Sequence, residues 1–222
     1  MVNLHMPSAL YYREKSFTSP SKITFPQFIS WYLGVSDVTQ EIQEAFESNN
    51  HTLILDNFNK YMSYMDVGKI PQKYKSGRAY YDYYESIKGT LYPKYKLDDS
   101  NVLIRDKNVN FLIKKLTSRE FSPLFADSDK LIGLPKAYFI VLEWDTLKDE
   151  GLLYAERLKE AGVDVHLAFY EKAFHGIVGL VDSSLFGYEI AKRMQNDLIE
   201  YLKANLWIRW IDFILRSKYY IF

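Results

Sequence analysis

The chain has 222 residues, 48% of them hydrophobic and 25% charged, with 28 basic residues balanced by 28 acidic ones. That is material for one or two domains with a core, and zero net charge offers no basic surface for nucleic acid. The lack of cysteine excludes disulfides, thiolate nucleophiles and thiolate metal sites. No run of 18 apolar residues occurs, so no transmembrane helix is expected, and "MVNLHMPSALYYREK" lacks the basic start and apolar core of a signal peptide.

Residues 11 to about 100 have an irregular texture. "FTSPSKITFPQFISWYLG" contains Pro20, Pro26 and Gly34 and predicts a short helix from Phe25 to Leu33. "DVTQEIQEAFESNN" predicts another helical piece. The triplet Asn50-His51-Thr52 is a possible glycosylation site at Asn50, a pattern that also arises by chance. "KIPQKYKSGRAYYDYYESIKGTLYPKYKL" is rich in tyrosine and broken by proline and glycine, which predicts short helices joined by loops. The aromatic content of 17% fits greasy pockets and a tyrosine-rich core equally well.

The pattern sharpens from residue 112. Ala137 to Leu142 is a short apolar run between Pro135 and Asp145, and reads as a buried strand. "DEGLLYAERLKEAGV" reads as an amphipathic helix with Leu152, Leu153, Ala155 and Leu158 facing inward and Gly162 as its C-terminal stop. "VDVHLAFY" alternates, with Val163, Val165, Leu167 and Phe169 on one face and Asp164, His166, Ala168 and Tyr170 on the other, and reads as a second strand. A long helix is expected from Leu185 to Asn205. Strand, helix, strand, helix predicts an α/β fold with parallel strands and crossover helices.

Asp145 and His175 lie 30 positions apart, each following the C-terminal end of a predicted parallel strand. Open α/β sheets build sites along that edge. A carboxylate that accepts the imidazole Nδ1–H leaves Nε2 free to take a proton from a serine. Asp145 also fits a helix cap, and His175 before Gly176 also fits a loop residue without a role. His166 reads as a surface residue, and His5 and His51 have no partner in view.

Four short patterns occur in order: "SPLFA" at 122–126, "GLP" at 133–135, "DTLKDEG" at 145–151 and "FHG" at 174–176. Together they resemble the hormone-sensitive-lipase-like α/β hydrolases, within them the arylacetamide deacetylase and neutral cholesterol ester hydrolase group. The resemblance is firm over 112–205 and looser before; Lys148 stands where that family usually has arginine. It implies that Asp145 is the triad acid, His175 the triad base, and Asp149 a supporting acid of the same loop. Asp149 also reads as a favourable charge at a helix N-terminus. The resemblance further implies residues 20–110 as a helical cap-like insertion and 112–205 as core. It implies a carboxylester, arylamide or lipid-ester substrate, no cofactor or metal, and association with the endoplasmic-reticulum membrane through an upstream anchor.

The sequence departs from that family in two places. No Gly-x-Ser-x-Gly and no His-Gly-Gly occurs in it, and "GVSDV" at 34–38 lacks the second glycine. "MPSAL" at 6–10 resembles the loop after the sixth strand of the fold. The expectation is a C-terminal portion of an α/β-hydrolase fold whose N-terminal half is missing: a truncated gene model, a splice form or a split product. Such a chain is expected to supply acid and base only, to be inactive alone and poorly stable. The second departure is the aromatic tail, 206–222, after a domain of 1–205. Trp207, Trp210, Ile211, Ile214 and Leu215 fall near one helical face, as for membrane-surface contact, although an unselected extension fits as well. A non-catalytic binding or regulatory protein and a peripheral lipid-binding piece are the rival readings.

Overall fold

Two strands pair in parallel at the centre of the C-terminal half: β1, Ala137–Trp144, and β2, Val165–Phe174. The computed structural model describes residues 58–75, 79–87, 107–181 and 188–205. The helices expected at 25–33 and 37–50, the Asn50 triplet and the tail 206–222 lie outside the described residues. Among the described residues, three α-helices come before β1: α1 (Phe58–Tyr64), α2 (Ala79–Ile87) and α3 (Lys107–Leu116). Helix α4 (Lys148–Glu160) joins the strands, and α5 (Glu189–Asn205) follows them.

The element borders follow from local chemistry. β1 starts two residues after Pro135, which has no N–H to give a ladder, and runs two residues past the expected end at Leu142. Helix α4 stops at Gly162, which takes a left-handed φ of 80°. The Gly162 N–H donates to the Lys159 carbonyl at 2.9 Å, and the Val163 N–H to the Leu158 carbonyl at 3.0 Å. This is the paired closure that a left-handed glycine permits. Val163 thereby closes the helix instead of opening the strand, so β2 begins at Val165, two residues later than its alternation suggests.

The pair is covered on both faces, as parallel strands require. On one face Val141 packs with Leu152 and Leu153 of α4 and with Met65, Ile70, Tyr74 and Phe125 from the segments before β1. On the other, Leu142, Tyr170 and Ala173 pack with Ile177 and with Ala191 and Met194 of α5. Leu152, Ala155, Ala191 and Met194 have no exposed surface. Each large apolar side chain buried this way contributes about 1.5–3 kcal/mol.

Arg157 on α4 ties the preceding turn to the core. Its buried guanidinium donates to the Leu124 carbonyl and, at 2.7 Å, to the Ala126 carbonyl, and lies over the Tyr64 ring. The "SPLFA" segment is therefore a turn held by a planar fork of donors. Among the described residues, no helix is long and apolar enough to cross a membrane.

Candidate active site

Asp145 is the first residue beyond β1, and its two carboxylate oxygens do different work. Oδ1 accepts the Leu147 N–H at 2.8 Å, and the Asp145 carbonyl accepts the Lys148 N–H at 3.2 Å. These bonds fold the turn that opens α4, a role short acidic side chains fill by reaching two residues ahead. Oδ2 lies 2.9 Å from His175 Nδ1. The turn-forming and imidazole-pairing readings of Asp145 are thus compatible, one oxygen for each.

His175 follows β2, and Gly176 after it adopts φ 83°. The chain turns there in a conformation that disfavours side chains, which accounts for glycine after the histidine. The Asp145 side chain is 11% exposed and that of His175 70% exposed. A proton on Nδ1, donated to Oδ2, leaves Nε2 as an acceptor. The arrangement is a fixed carboxylate holding an imidazole whose ring is largely open.

The two strands do not reach this point in even register. Pairing is regular from Ala137 opposite Val165 to Leu142 opposite Tyr170, and then resumes with Trp144 opposite Phe174. Lys172, inside the irregularity, takes a left-handed φ of 57°, and its N–H donates to Glu143 Oε2 at 2.7 Å.

Beneath the Asp145 turn sits a buried charged cluster. Asp149 Oδ1 accepts the Tyr81 hydroxyl at 2.6 Å and pairs with Lys148 Nζ at 3.0 Å. Lys148 Nζ also donates to the Tyr80 and Tyr81 hydroxyls at 2.7 and 2.9 Å. Both charged side chains are fully enclosed. Asp149 is therefore a core residue, not a surface charge answering the helix dipole. The cluster fastens α2 to the first turn of α4, three residues from Asp145.

The other sequence candidates lie elsewhere. Ser122 is buried in the "SPLFA" turn, and Ser183 and Ser184 fall outside the described residues. His166 stacks on Tyr138, ring centroids 4.9 Å apart, near the start of both strands. A cavity of about 570 Å³ opens there, lined by Tyr138, His166, Asp197 and Tyr201. It is at the opposite end of the strands from Asp145 and His175, so cavity size and chemistry point to different places, and the paired side chains carry more chemical information. Among the described residues no cluster of three metal-ligating side chains occurs.

Residues 85–179 match the model of the family described as the alpha/beta hydrolase fold. Over these residues the chain has the α/β-hydrolase fold. Among curated relatives, Neutral cholesterol ester hydrolase 1 of Bos taurus is 38% identical over 94 residues, covering 42% of this chain and 23% of that protein. Arylacetamide deacetylase of Bos taurus is 32% identical over 197 residues, covering 88% of this chain and 42% of its own length. These similarities agree with the hormone-sensitive-lipase-like group to which the four motifs pointed. The chain thus spans less than half the length of these relatives. A solved structure of an esterase of Rhizomucor miehei is 26% identical, with a TM-score of 0.38, covering 45% of this chain and 32% of that one.

Sequence reasoning passed over Glu143, Lys172, Tyr80 and Tyr81. One signal was available for the first two: the period-two pattern of "VHLAFY" breaks at Glu171-Lys172, the segment that leaves regular register. Nothing local marks Tyr80 and Tyr81, which meet Lys148 from 68 and 67 positions away.

Proposed function

We propose that this chain supplies the acid, Asp145, and the base, His175, of a Ser-Asp-His carboxylester hydrolase acting on small ester, arylamide or lipid-ester substrates. The supporting observation is the 2.9 Å approach of Asp145 Oδ2 to His175 Nδ1, with the other oxygen occupied by the Leu147 N–H. A carboxylate fixed in this way sets the imidazole tautomer and stabilises the imidazolium that forms when Nε2 takes a hydroxyl proton. Asp149 supports the same loop through Lys148 and the α2 tyrosines. The printed names of the relatives, a cholesterol ester hydrolase and an arylacetamide deacetylase, agree with acyl transfer to water as the reaction class.

The nucleophile and the oxyanion donors are absent from these 222 residues as recognisable motifs. Without them the covalent route has no attacking oxygen and no stabilised tetrahedral anion. The chain alone is accordingly inert in this reading, and becomes active when joined to a segment bearing a serine elbow.

The test has two arms. The purified chain is exposed to a fluorophosphonate probe and a short-chain nitrophenyl ester, beside His175→Ala. It is also fused behind the serine-bearing N-terminal segment of a relative such as the bovine arylacetamide deacetylase. The chain alone should show neither labelling nor turnover, and the fusion should show both. In the fusion, Asp145→Asn should lower kcat about 10⁴-fold and His175→Ala about 10⁶-fold. A labelled serine in the chain alone, with turnover lost in His175→Ala, overturns the expectation of inertness. A fusion indifferent to both substitutions overturns the assignment of acid and base.

A further inference from the structure

We propose that Glu143 is a positioning residue, which holds a two-residue bulge in β2 and so delivers His175 to Asp145. The proposal rests on the acid and base reading above and adds the device that aligns the pair. Between Leu142 and Trp144, β1 has one residue, Glu143; between their partners Tyr170 and Phe174, β2 has three, Glu171, Lys172 and Ala173. Had the ladder continued evenly from Leu142 and Tyr170, Asp145 would stand opposite Ala173. His175 would then lie two residues further along, roughly 6–7 Å at strand rise, beyond the reach of a direct hydrogen bond. With the extra residues absorbed, Trp144 stands opposite Phe174, and the next step sets Asp145 beside His175.

Such a bulge needs something to hold it. Lys172 adopts φ 57°, unfavourable for a residue with a Cβ, and glycine would be the easier choice. Its N–H is turned out of the ladder and requires another acceptor. Glu143 provides it: the side chain is largely buried, and Oε2 accepts the Lys172 N–H at 2.7 Å. The bond spans the two strands where their register breaks, two residues before Asp145 and three before His175. Bulges of this kind re-aim side chains beside active sites.

The experiment reads the histidine ring directly, so it does not depend on turnover. The full 222-residue chain is labelled with ¹⁵N-histidine, and His175→Gln assigns its signals among the four histidines. In the wild type the proton should reside on Nδ1 of His175. In Asp145→Asn the amide should turn its NH₂ toward the ring, because the Leu147 N–H holds the oxygen, and the proton should move to Nε2. Glu143→Ala and Glu143→Asp, the latter one methylene too short to reach Lys172, should move it the same way. Glu143→Gln, which keeps an acceptor at full length, should retain the wild-type tautomer.

If Asp145→Asn shifts the proton while folded Glu143→Ala and Glu143→Asp do not, the positioning role is overturned and the pair stands. A wild type with no preference for Nδ1 overturns the pair itself. Should Glu143→Ala fail to fold, Glu143→Asp decides. The Lys172 backbone amide gives a second reading: its exchange with solvent should quicken in Glu143→Ala and stay slow in Glu143→Gln, and unchanged exchange in folded Glu143→Ala overturns the proposal.

Discussion

Residues 143–151 and 171–179 contain the two partners of one hydrogen bond, yet they are built in opposite ways. The first is continuous with the core: Asp145 is nearly enclosed, its turn opens α4, and Lys148 and Asp149 are sealed beneath it with Tyr80 and Tyr81. The second is a surface excursion, with a bulge, a left-handed Lys172 and a left-handed Gly176 around an open His175. Asp145 is placed by packing and His175 by backbone geometry. Substitutions around Asp145 should therefore cost stability, and those around His175 mainly alignment.

The sharpest test of that contrast is Asp149→Ala against His175→Ala. Removing Asp149 leaves the Lys148 ammonium enclosed without its carboxylate, and breaking a buried pair from one side costs about 3–5 kcal/mol. Removing the exposed His175 ring should cost about 1 kcal/mol or less. Urea unfolding of both variants checks this, and equal losses would break the comparison.

Gly162 and Gly176 sharpen it further. Both sit at positive φ, and a Cβ on either would meet nothing within 4 Å, so alanine there carries a backbone penalty without a clash. Each substitution should cost about 1–2 kcal/mol. Only Gly176→Ala should disturb the tautomer of His175, since Gly162 closes α4 at the end away from the site. Thermal melting and the histidine ring signals together separate the two effects.

A smaller effect comes from pH. Burial, then the hydrogen bond to Asp197, raises the Tyr170 phenol above the ordinary tyrosine value. A raised value means the folded state holds the proton more tightly. Its contribution is complete below the unfolded value of about 10 and is lost as pH rises beyond it. Stability should fall above about pH 10, less steeply in Tyr170→Phe. Chemical unfolding at pH 9, 10 and 11 checks the slope. The smallest effect belongs to the surface of α5, where Lys192 pairs with Glu189 one turn away. Lys192→Ala should change stability by about 0.5 kcal/mol or less, and the loss should vanish in high salt.

The parts legible in the sequence are those specified locally. The apolar run at 137–142, the inward stripe of Leu152, Leu153, Ala155 and Leu158, and the stop at Gly162 each follow from a spacing or one residue's conformational freedom. The juxtaposition of Asp145 and His175 followed from two strand ends on one edge. Hidden features depended on contacts between distant segments. Lys148 and Asp149 occupy a first helical turn, where charge is normal, and only α2 packing over them makes them core. The end of β1 lay two residues beyond its apolar run because Trp144 re-enters the ladder opposite Phe174, past the break in register at Glu143.

The connection through α4 also bears on how the chain assembles. Parallel strands are slow partners, because an intervening segment must close before any pairing is gained. Here that segment contains a thirteen-residue helix, stabilised by bonds to its own near neighbours and ended by a glycine. A preformed helix shortens the effective loop, and loop-closure entropy grows only as the logarithm of loop length. Asp145 and His175 both lie at the mouth of this one local unit. Their meeting therefore requires β1, α4 and β2 to come together, while the tyrosine-bearing α2, from 68 positions upstream, fastens the turn beside Asp145.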